Sequence, residues 1–286
     1  MKPSNLVLQS ATGSLIMQQG LIQEFALALN AKITEQMANG CIRLHQISLS
    51  DDLRESIEHR CFQAKIDLFW ESQQRQLSDF KLVAMDMDST LITIECIDEI
   101  ADMQGLKPQV SEITEAAMRG ELDFQESLQR RVALLKGLDA NALDRVFEER
   151  LRLSPGAEIM LQNVQRAGLK TLLVSGGFTF FTKRLQQALQ LDYTHANELE
   201  IIDGKLTGKV IGTIVDAEEK KRTVERVCSE LGISPSQAIV MGDGANDLKM
   251  MSIAGLSVAF RAKPVVRKQA SLALNFNGLH GALNYL

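Results

Sequence analysis

The chain has 286 residues, of which 45% are hydrophobic and 23% charged, and its formal net charge is -5. This composition is ordinary for a soluble globular protein with one large domain or two smaller ones. The negative net charge argues against a general nucleic-acid-binding protein, whose surface would carry an excess of positive charge. No apolar run approaches the roughly 18 residues needed to cross a bilayer, and the N-terminus lacks a signal-peptide pattern. We therefore expect a cytoplasmic protein without a membrane or nucleic-acid partner.

Residues 1–75 have a short β/α rhythm that predicts a small α+β domain. In chain order the pattern predicts a strand over 6–9, a helix over 15–29, strands over 31–37 and 41–49, a helix capped by Asp51 and Asp52 that runs to residue 64, and a strand over 66–70. This β-α-β-β-α-β order is typical of a ferredoxin-like module. A regulatory role and a role in pairing two copies into a homodimer are both open for it.

A different pattern covers residues 76–286. Short apolar runs at 81–85, 171–174 and 238–241 each end in polar residues, and helical patterns separate them. Buried strands that alternate with helices predict an α/β domain with a doubly wound parallel sheet. In such sheets, ligands bind beyond the carboxyl ends of the strands. The polar residues therefore fall where this architecture places an active site.

Two local features interrupt the α/β pattern. Residues 96–153 contain helical patterns without a clear strand and follow the first strand directly, so we expect a helical cap over the site. Asp203-Gly204 lies between two β-type runs, which is a strong hairpin signal.

The run Asp86-Met87-Asp88-Ser89-Thr90 follows the first strand of the α/β domain. Residues i and i+2 of an extended segment point the same way, so both carboxylates can face one spot. A carboxylate can act as a nucleophile on phosphorus, and a second one can give and later take a proton. A strand followed by a capped helix would also place Asp and Ser here. The run alone leaves both interpretations open.

The run Gly242-Asp243-Gly244-Ala245-Asn246-Asp247 follows a later strand. Its glycines allow a sharp turn, and Asp243 and Asp247 are hard oxygen ligands suited to Mg²⁺. A plain turn also favours Asp and Gly. Two acidic motifs at strand ends of one sheet are nevertheless harder to explain as turns than either motif alone.

Two further elements suit a phosphate site. Ser175-Gly176-Gly177 follows another strand, and a hydroxyl with free backbone N–H groups at a strand-to-helix turn makes an anion cradle. Lys220 lies in the charged run 217–222, which by itself is typical of a solvated helical face. A phosphate site with paired carboxylates needs a cation besides the metal, and Lys220 is the candidate.

In their order and combination, these four motifs resemble those of the haloacid-dehalogenase-like phosphatases. Within that superfamily the cap segment resembles the phosphoserine phosphatase family, through residues 94–98 (IECID), 114–124 (TEAAMRGELDF) and 127–131 (SLQRR). The resemblance covers about residues 81–263. It implies Mg²⁺-dependent hydrolysis of O-phospho-L-serine through an aspartyl-phosphate intermediate, the last step of serine biosynthesis.

The resemblance also implies a role for each matched catalytic residue. Asp86 would be the nucleophile, and Asp88 would be the general acid and then the base. Mg²⁺ would be held by the Asp86 carboxylate, the Asp88 backbone carbonyl and Asp243, with Asp247 in support.

The substrate contacts implied by the resemblance come from the core and from the cap. In the core, the residues that would hold the phosphoryl oxygens are Ser175, Gly176 and Lys220, with Asn246 beside them. In the cap, Glu95 would bind the substrate ammonium and Arg131 its carboxylate. Met118 and Phe124 would help close the site against water. Without the resemblance, the two charged residues would be ordinary helix-surface charges and the two apolar ones core residues.

Three other functions are open to the same sequence. A phosphatase of this superfamily with another small phosphomonoester substrate would share the catalytic motifs and differ in the cap. A phosphotransferase would pass the phosphoryl group to an acceptor other than water. A non-enzymatic amino-acid-binding regulator would not need intact Asp86, Asp88, Lys220 and Asp243, which makes it the weakest of the three.

Overall fold

A computed structural model describes residues 4–10, 18–37, 40–119 and 121–286, which form two β-sheets with helices packed around them. The strands are β1 (Asn5–Ser10), β2 (Ile33–Gln36), β3 (Ile42–His45), β4 (Ile66–Glu71), β5 (Leu82–Met85), β6 (Lys170–Phe178), β7 (Tyr193–Ile202), β8 (Lys205–Ile211), β9 (Ala238–Gly242), β10 (Leu256–Phe260) and β11 (Leu272–Leu274). The helices are α1 (Gln19–Ala28), α2 (Asp51–Gln63), α3 (Cys96–Asp102), α4 (Lys107–Met118), α5 (Phe124–Ala133), α6 (Asn141–Arg145), α7 (Ala157–Arg166), α8 (Thr179–Leu189), α9 (Ala217–Glu230), α10 (Leu248–Met251) and α11 (Pro264–Gln269). None of the helices in these ranges is both long and apolar enough to cross a membrane.

The first four strands form the smaller sheet, in the order β2-β3-β1-β4 with every pair antiparallel. Side chains alternate along β1, and Leu6 and Leu8 pack in one cluster with Phe25 of α1 and Ile57 of α2. Val7 belongs to a different cluster, on the opposite face of the sheet. The described residues therefore contain the predicted β-α-β-β-α-β arrangement of a small α+β unit.

The ends of the two helices in this unit differ from the prediction. The N-cap of α2 is Ser50, whose hydroxyl accepts a hydrogen bond from the backbone N–H of Leu53 at 3.4 Å. The prediction that Asp51 and Asp52 cap this helix was wrong: they form its first turn, where negative charge favours the helix dipole. Helix α1 begins at Gln19, and residues 15–17 of its predicted extent lie outside the described residues.

The larger sheet has the order β11-β10-β9-β5-β6-β7-β8. Its pairs are parallel except for β7 with β8, which is antiparallel. Alternate residues of the central strand β5 enter opposite cores: Val83 and Met85 lie in one cluster, and Leu82 and Ala84 in the other. Because both faces are covered, the strand is continuously apolar. This confirms the predicted doubly wound α/β fold.

The insertion after β5 is helical. Helices α3 to α6 lie within residues 96–153, whose described part contains no strand. The two ends of the insertion meet at an isolated antiparallel bridge between Ile92 and Leu153. The predicted hairpin joins β7 to β8, with Asp203 and Gly204 at φ 50° and 74°, as a tight two-residue turn requires. The cap bounds at 96 and 153 remain predictions.

The open face of the smaller sheet packs against the last residues of the chain. Val7 and Cys41 share a hydrophobic cluster with Tyr285, and the rings of Phe69 and Tyr285 meet edge-on with centroids 5.7 Å apart. The two sheets are thus joined by a common core. The division between residues 75 and 76 stays a prediction.

One buried carboxylate reinforces this junction. Asp67 of β4 is 1% exposed. It accepts hydrogen bonds of 2.7–3.3 Å from the backbone N–H groups of Asn275, Phe276 and Asn277 and from the side-chain amide of Asn277. Asp67 therefore satisfies three successive peptide groups that follow β11.

We expect Asp67→Ala to lower the free energy of unfolding by about 3 kcal/mol, because buried N–H groups would lose their acceptor. Glu55→Ala is the matched control, since Glu55 is an exposed acidic residue of α2, and should change the same quantity by less than about 0.5 kcal/mol. Urea unfolding followed by circular dichroism measures both variants. Equal stability of Asp67→Ala and wild type would contradict this role of the carboxylate.

Candidate active site

The candidate site lies at the carboxyl ends of three neighbouring strands. Asp86 follows β5, Asp243 follows β9, and Ser175 belongs to the adjacent strand β6. Strand β6 continues to Phe178, with a register irregularity against β7 between Ser175 and Phe178. Ser175 and Gly176 thus occupy an irregular strand end, and the prediction of a strand-to-helix turn at these residues was wrong.

The backbone after β5 brings two carboxylates to one place. Asp86 has φ -70° and ψ 160°, and Asp88 has φ -65° and ψ 135°. Ser89 then turns the chain with a left-handed φ of 55°. Asp86 and Asp88 line the same cavity of about 520 Å³, as predicted. Met87 between them has helical backbone angles, so an uninterrupted extended segment is not what brings the two carboxylates together.

Lys220 of α9 lies beneath this cavity. Its Nζ donates to Asp86 Oδ1 at 2.7 Å and to Asp247 Oδ1 at 2.8 Å. The side chain is 1% exposed, so the ammonium is balanced by carboxylates rather than by water. The interpretation of this residue as a solvated surface charge does not hold, because its helix turns it into the core.

The charges of this group act on one another strongly. Burial alone would lower the pKa of Lys220, but Asp247 and Asp86 outweigh it and raise that pKa, so the ammonium stays protonated. Burial, together with the nearby Asp247 carboxylate, raises the pKa of Asp86 well above its usual range, and Lys220 only partly opposes this. An additional cation beside Asp86 would favour its ionised form.

Asp88 has different partners. Its Oδ1 accepts a hydrogen bond from the backbone N–H of Cys96 at 2.8 Å, and its Oδ2 accepts one from the Ser175 hydroxyl at 3.4 Å. Burial raises the pKa of Asp88, although the Cys96 and Ser175 donors oppose it. A carboxyl group of this kind retains a proton more readily than an exposed one, which suits a general acid.

Three carboxylates could hold a metal ion. One oxygen each from Asp86, Asp243 and Asp247 lies within 4.8 Å of the others. Asp247 Oδ2 accepts from the backbone N–H groups of Asp243 and Gly244 at 3.2 and 3.0 Å, and its Oδ1 binds Lys220. Asp247 therefore suits a supporting role, whereas Asp86 and Asp243 each keep one oxygen without a donor among the described residues.

Asp243 has its own anchor. The buried hydroxyl of Thr90 donates to Asp243 Oδ1 at 3.1 Å. Burial and the neighbouring Asp247 raise the pKa of Asp243 to about 6, while Thr90 opposes the shift. Crowded, hydrogen-bonded carboxylate oxygens of this type are ligands for a hard divalent cation.

The cap completes the cavity with a pair of opposite charges. Glu95 precedes α3 and accepts a 2.6 Å hydrogen bond from the Ser89 hydroxyl. Burial and the nearby Asp88 raise the pKa of Glu95 to about 7. Arg131 of α5 and Phe124 also line the cavity, and burial lowers the pKa of Arg131, opposed by Asp98 and Glu95.

The structure brings most of the predicted site residues to this one cavity. Those that line it are Asp86, Asp88, Glu95, Phe124, Arg131, Ser175, Gly176, Asp243 and Asn246. Lys220 and Asp247 lie directly behind Asp86, within hydrogen-bond distance of each other. The side chain of Met118, the last residue of α4, lies outside the described residues.

Sequence reasoning did not single out four residues that the structure adds to the site. Ser89 and Thr90 hold Glu95 and Asp243, and Asp98 and Lys263 line the cavity. Ser89 and Thr90 belong to the acidic motif 86–90, and this position in the sequence could have identified them as site residues. Asp98 belongs to the run 94–98 (IECID) quoted for the cap, although no role was given to it, whereas Lys263 has no such local pattern.

Comparisons with known proteins give a consistent result. The profile of the haloacid dehalogenase-like hydrolases matches residues 80–255. The phosphoserine phosphatase of Polaromonas sp. (strain JS666) is 60% identical over 209 residues, which are 71% of this chain and 89% of that protein. A HAD family hydrolase from Salmonella enterica serovar Typhi has a TM-score of 0.88 at 34% identity, over 99% of this chain and 97% of that one. A phospho-aspartyl intermediate analogue of phosphoserine phosphatase has a TM-score of 0.68 at 38% identity, over 72% of this chain and 99% of that one.

The geometry around Asp88 leads to a steric prediction. A Cβ added to Gly177 would lie 2.6 Å from Asp88 Oδ2 and 2.8 Å from Met87 Cε. We expect Gly177→Ala to displace Asp88 and lower kcat for p-nitrophenyl phosphate by about 100-fold, on the order of one misplaced catalytic group. Gly20→Ala, with open space around the added Cβ, is the matched control. Wild-type kcat in Gly177→Ala would show that Asp88 needs no fixed position.

Proposed function

Because this chain belongs to the haloacid dehalogenase-like hydrolases, we propose that it hydrolyses O-phospho-L-serine to L-serine and phosphate with Mg²⁺, through an aspartyl phosphate on Asp86. One observation carries the proposal: a single cavity joins the Asp86 and Asp88 pair to the oppositely charged Glu95 and Arg131. The first pair suits phosphoryl transfer, and the second suits a zwitterionic amino acid. The resemblance to relatives named phosphoserine phosphatase supports the same substrate.

In the first step, an Asp86 carboxylate oxygen attacks phosphorus as the bond from phosphorus to the serine oxygen breaks. Asp88 gives its proton to that leaving oxygen, which departs as the serine hydroxyl. The raised pKa of Asp88 supports this role, since burial favours the protonated carboxyl group that an acid catalyst needs. Lys220 keeps Asp86 oriented by its 2.7 Å hydrogen bond.

In the second step, water attacks the phosphorus of the aspartyl phosphate. Asp88, now ionised, takes a proton from this water, and the bond from phosphorus to Asp86 breaks to release phosphate. The Cys96 N–H and the Ser175 hydroxyl stabilise the ionised form of Asp88 between the two steps. Asp88 thus donates a proton in the first step and accepts one in the second.

Mg²⁺ fits the donor set around Asp86. The Asp86 and Asp243 carboxylates are hard oxygen ligands with an oxygen each to offer, the Asp88 carbonyl is the further proposed ligand, and Asp247 supports the group. When bound, the ion would neutralise charge on the phosphoryl oxygens and favour ionised Asp86. Burial and like charge raise the pKa values of Asp86 and Asp243, which is the condition that a divalent cation relieves.

Substrate recognition is divided between core and cap. In our proposal, Glu95 binds the ammonium and Arg131 pairs with the carboxylate through its planar guanidinium. Phe124 and Met118 exclude water over the bound substrate. The residues proposed for the phosphoryl oxygens are Ser175, Gly176, Lys220 and Asn246. In this proposal the reaction is the last step of serine biosynthesis in the cytoplasm, and a homodimer stays a prediction.

The test of the proposed function is phosphate release from O-phospho-L-serine and a panel of other monoesters, with Mg²⁺ and with chelator. We expect strong selectivity for phosphoserine. The rate of phosphate release should fall by at least about 1,000-fold in Asp86→Asn, which lacks the nucleophile, and with chelator, which removes the cation that balances its charge. Glu55→Ala serves as an active control. Selective hydrolysis of another monoester would replace the substrate, and activity in chelator would remove the metal from the proposal.

The raised pKa of Glu95 leads to a pH prediction. Only ionised Glu95 attracts the ammonium, so kcat/KM for phosphoserine falls as pH drops through the free-enzyme pKa of about 7. The ratio of kcat/KM between wild type and Glu95→Gln should therefore be largest near pH 8, about 10- to 100-fold, and approach one near pH 5. A bound divalent cation moves the midpoint below 7. A ratio independent of pH would exclude this role for the Glu95 charge.

A further inference from the structure

The candidate cavity carries more negative than positive charge. Among the described residues that line it, five are acidic, namely Asp86, Asp88, Glu95, Asp98 and Asp243, and two are basic, namely Arg131 and Lys263. Lys220 lies behind the lining, where Asp247 and Asp86 balance its charge. Before a divalent cation is bound, this excess of carboxyl groups repels an anionic phosphate monoester.

Lys263 is placed to offset this repulsion at the entrance. It immediately precedes α11, and its backbone N–H donates to the carbonyl oxygen of Asp243 at 3.2 Å. This bond holds Lys263 against the turn that contains Asp243 and Asn246. The side chain is exposed, lines the cavity and forms no ion pair with any residue of the described ranges. In contrast to Lys220, its charge is thus available to a ligand.

We propose that Lys263 is the cation that receives the phosphate group at the mouth of the cavity and stabilises the bound monoester there. The inference rests on the proposed phosphatase function. Position favours the phosphate over the substrate carboxylate, because Lys263 adjoins the turn of the metal-candidate residue Asp243, whereas Arg131 projects from the cap helix α5. A flexible, hydrated lysine suits capture of an entering anion, while a planar guanidinium suits a fixed carboxylate.

This position predicts an effect on binding rather than on the chemical step. Among the described residues, Lys263 forms no hydrogen bond or ion pair with Asp86 or Asp88. Loss of its charge should therefore raise KM and leave kcat within about twofold. An exposed charge that steers a ligand acts through a field that salt screens. The contribution of Lys263 should therefore shrink as ionic strength rises.

The experiment compares Lys263→Gln with Lys268→Gln. Lys268 carries the same charge and belongs to α11, the helix that follows Lys263, but it lines a separate cleft beside Phe62 and Ser271. At low ionic strength we expect Lys263→Gln to raise KM about tenfold for both phosphoserine and p-nitrophenyl phosphate. The inhibition constant of inorganic phosphate should rise by the same factor. Lys263→Arg should recover most of the affinity, and Lys268→Gln should match wild type. Thermal unfolding confirms that each variant is folded.

Three outcomes would overturn the inference. An unchanged KM in Lys263→Gln would exclude the contact, and an equal loss in Lys268→Gln would assign the effect to the general field of the protein. A loss for phosphoserine alone would assign Lys263 to the amino-acid part of the substrate. If wild type hydrolyses p-nitrophenyl phosphate but not phosphoserine, the proposed substrate fails, and the Lys263 comparison is still decided on the aryl ester and on phosphate inhibition.

Discussion

The buried ammonium of Lys220, held between Asp86 and Asp247, is the interaction on which the candidate site depends. An unpaired ion in this position would cost several kcal/mol, so the fold must deliver both carboxylates to it at 2.7 and 2.8 Å. Asp86 follows the central strand β5, Asp247 lies in the turn after β9, and Lys220 belongs to α9. One ion group therefore fixes the relative positions of three elements, and the rest of the cavity is built around it.

The same group makes the site unfavourable without a further cation. One ammonium faces three clustered carboxylates, and burial raises the pKa values of Asp86 and Asp243. Protonation could relieve this repulsion only by removing the charge that a nucleophile needs. A divalent cation relieves it and leaves Asp86 ionised. Under the proposed function, the repulsion among these crowded carboxylates would favour the binding of a metal ion.

The sequence was most informative where one local pattern determines structure. The apolar run of β5 with acidic residues at its end predicted both a buried strand and the position of Asp86, and Asp203-Gly204 predicted a hairpin. Contacts between distant residues were not predictable. Thr90 and Asp243 are 153 residues apart, Asp67 and Asn277 are 210 apart, and no local pattern marks either pair. The irregular end of β6 was missed because it depends on pairing with β7.

Two short hydrogen bonds at the beginning of the cap connect it to the acidic motif after β5. The backbone N–H of Cys96, in the first turn of α3, donates to Asp88, and Glu95 accepts from Ser89 in the acidic motif. The Cys96 donor favours ionised Asp88 and opposes the larger effect of burial, which raises the pKa of that carboxyl group. Glu95, the residue before α3, lines the cavity beside it. The start of α3 therefore supplies both a donor to Asp88 and a carboxylate to the cavity, which is why the two features occur together in this fold.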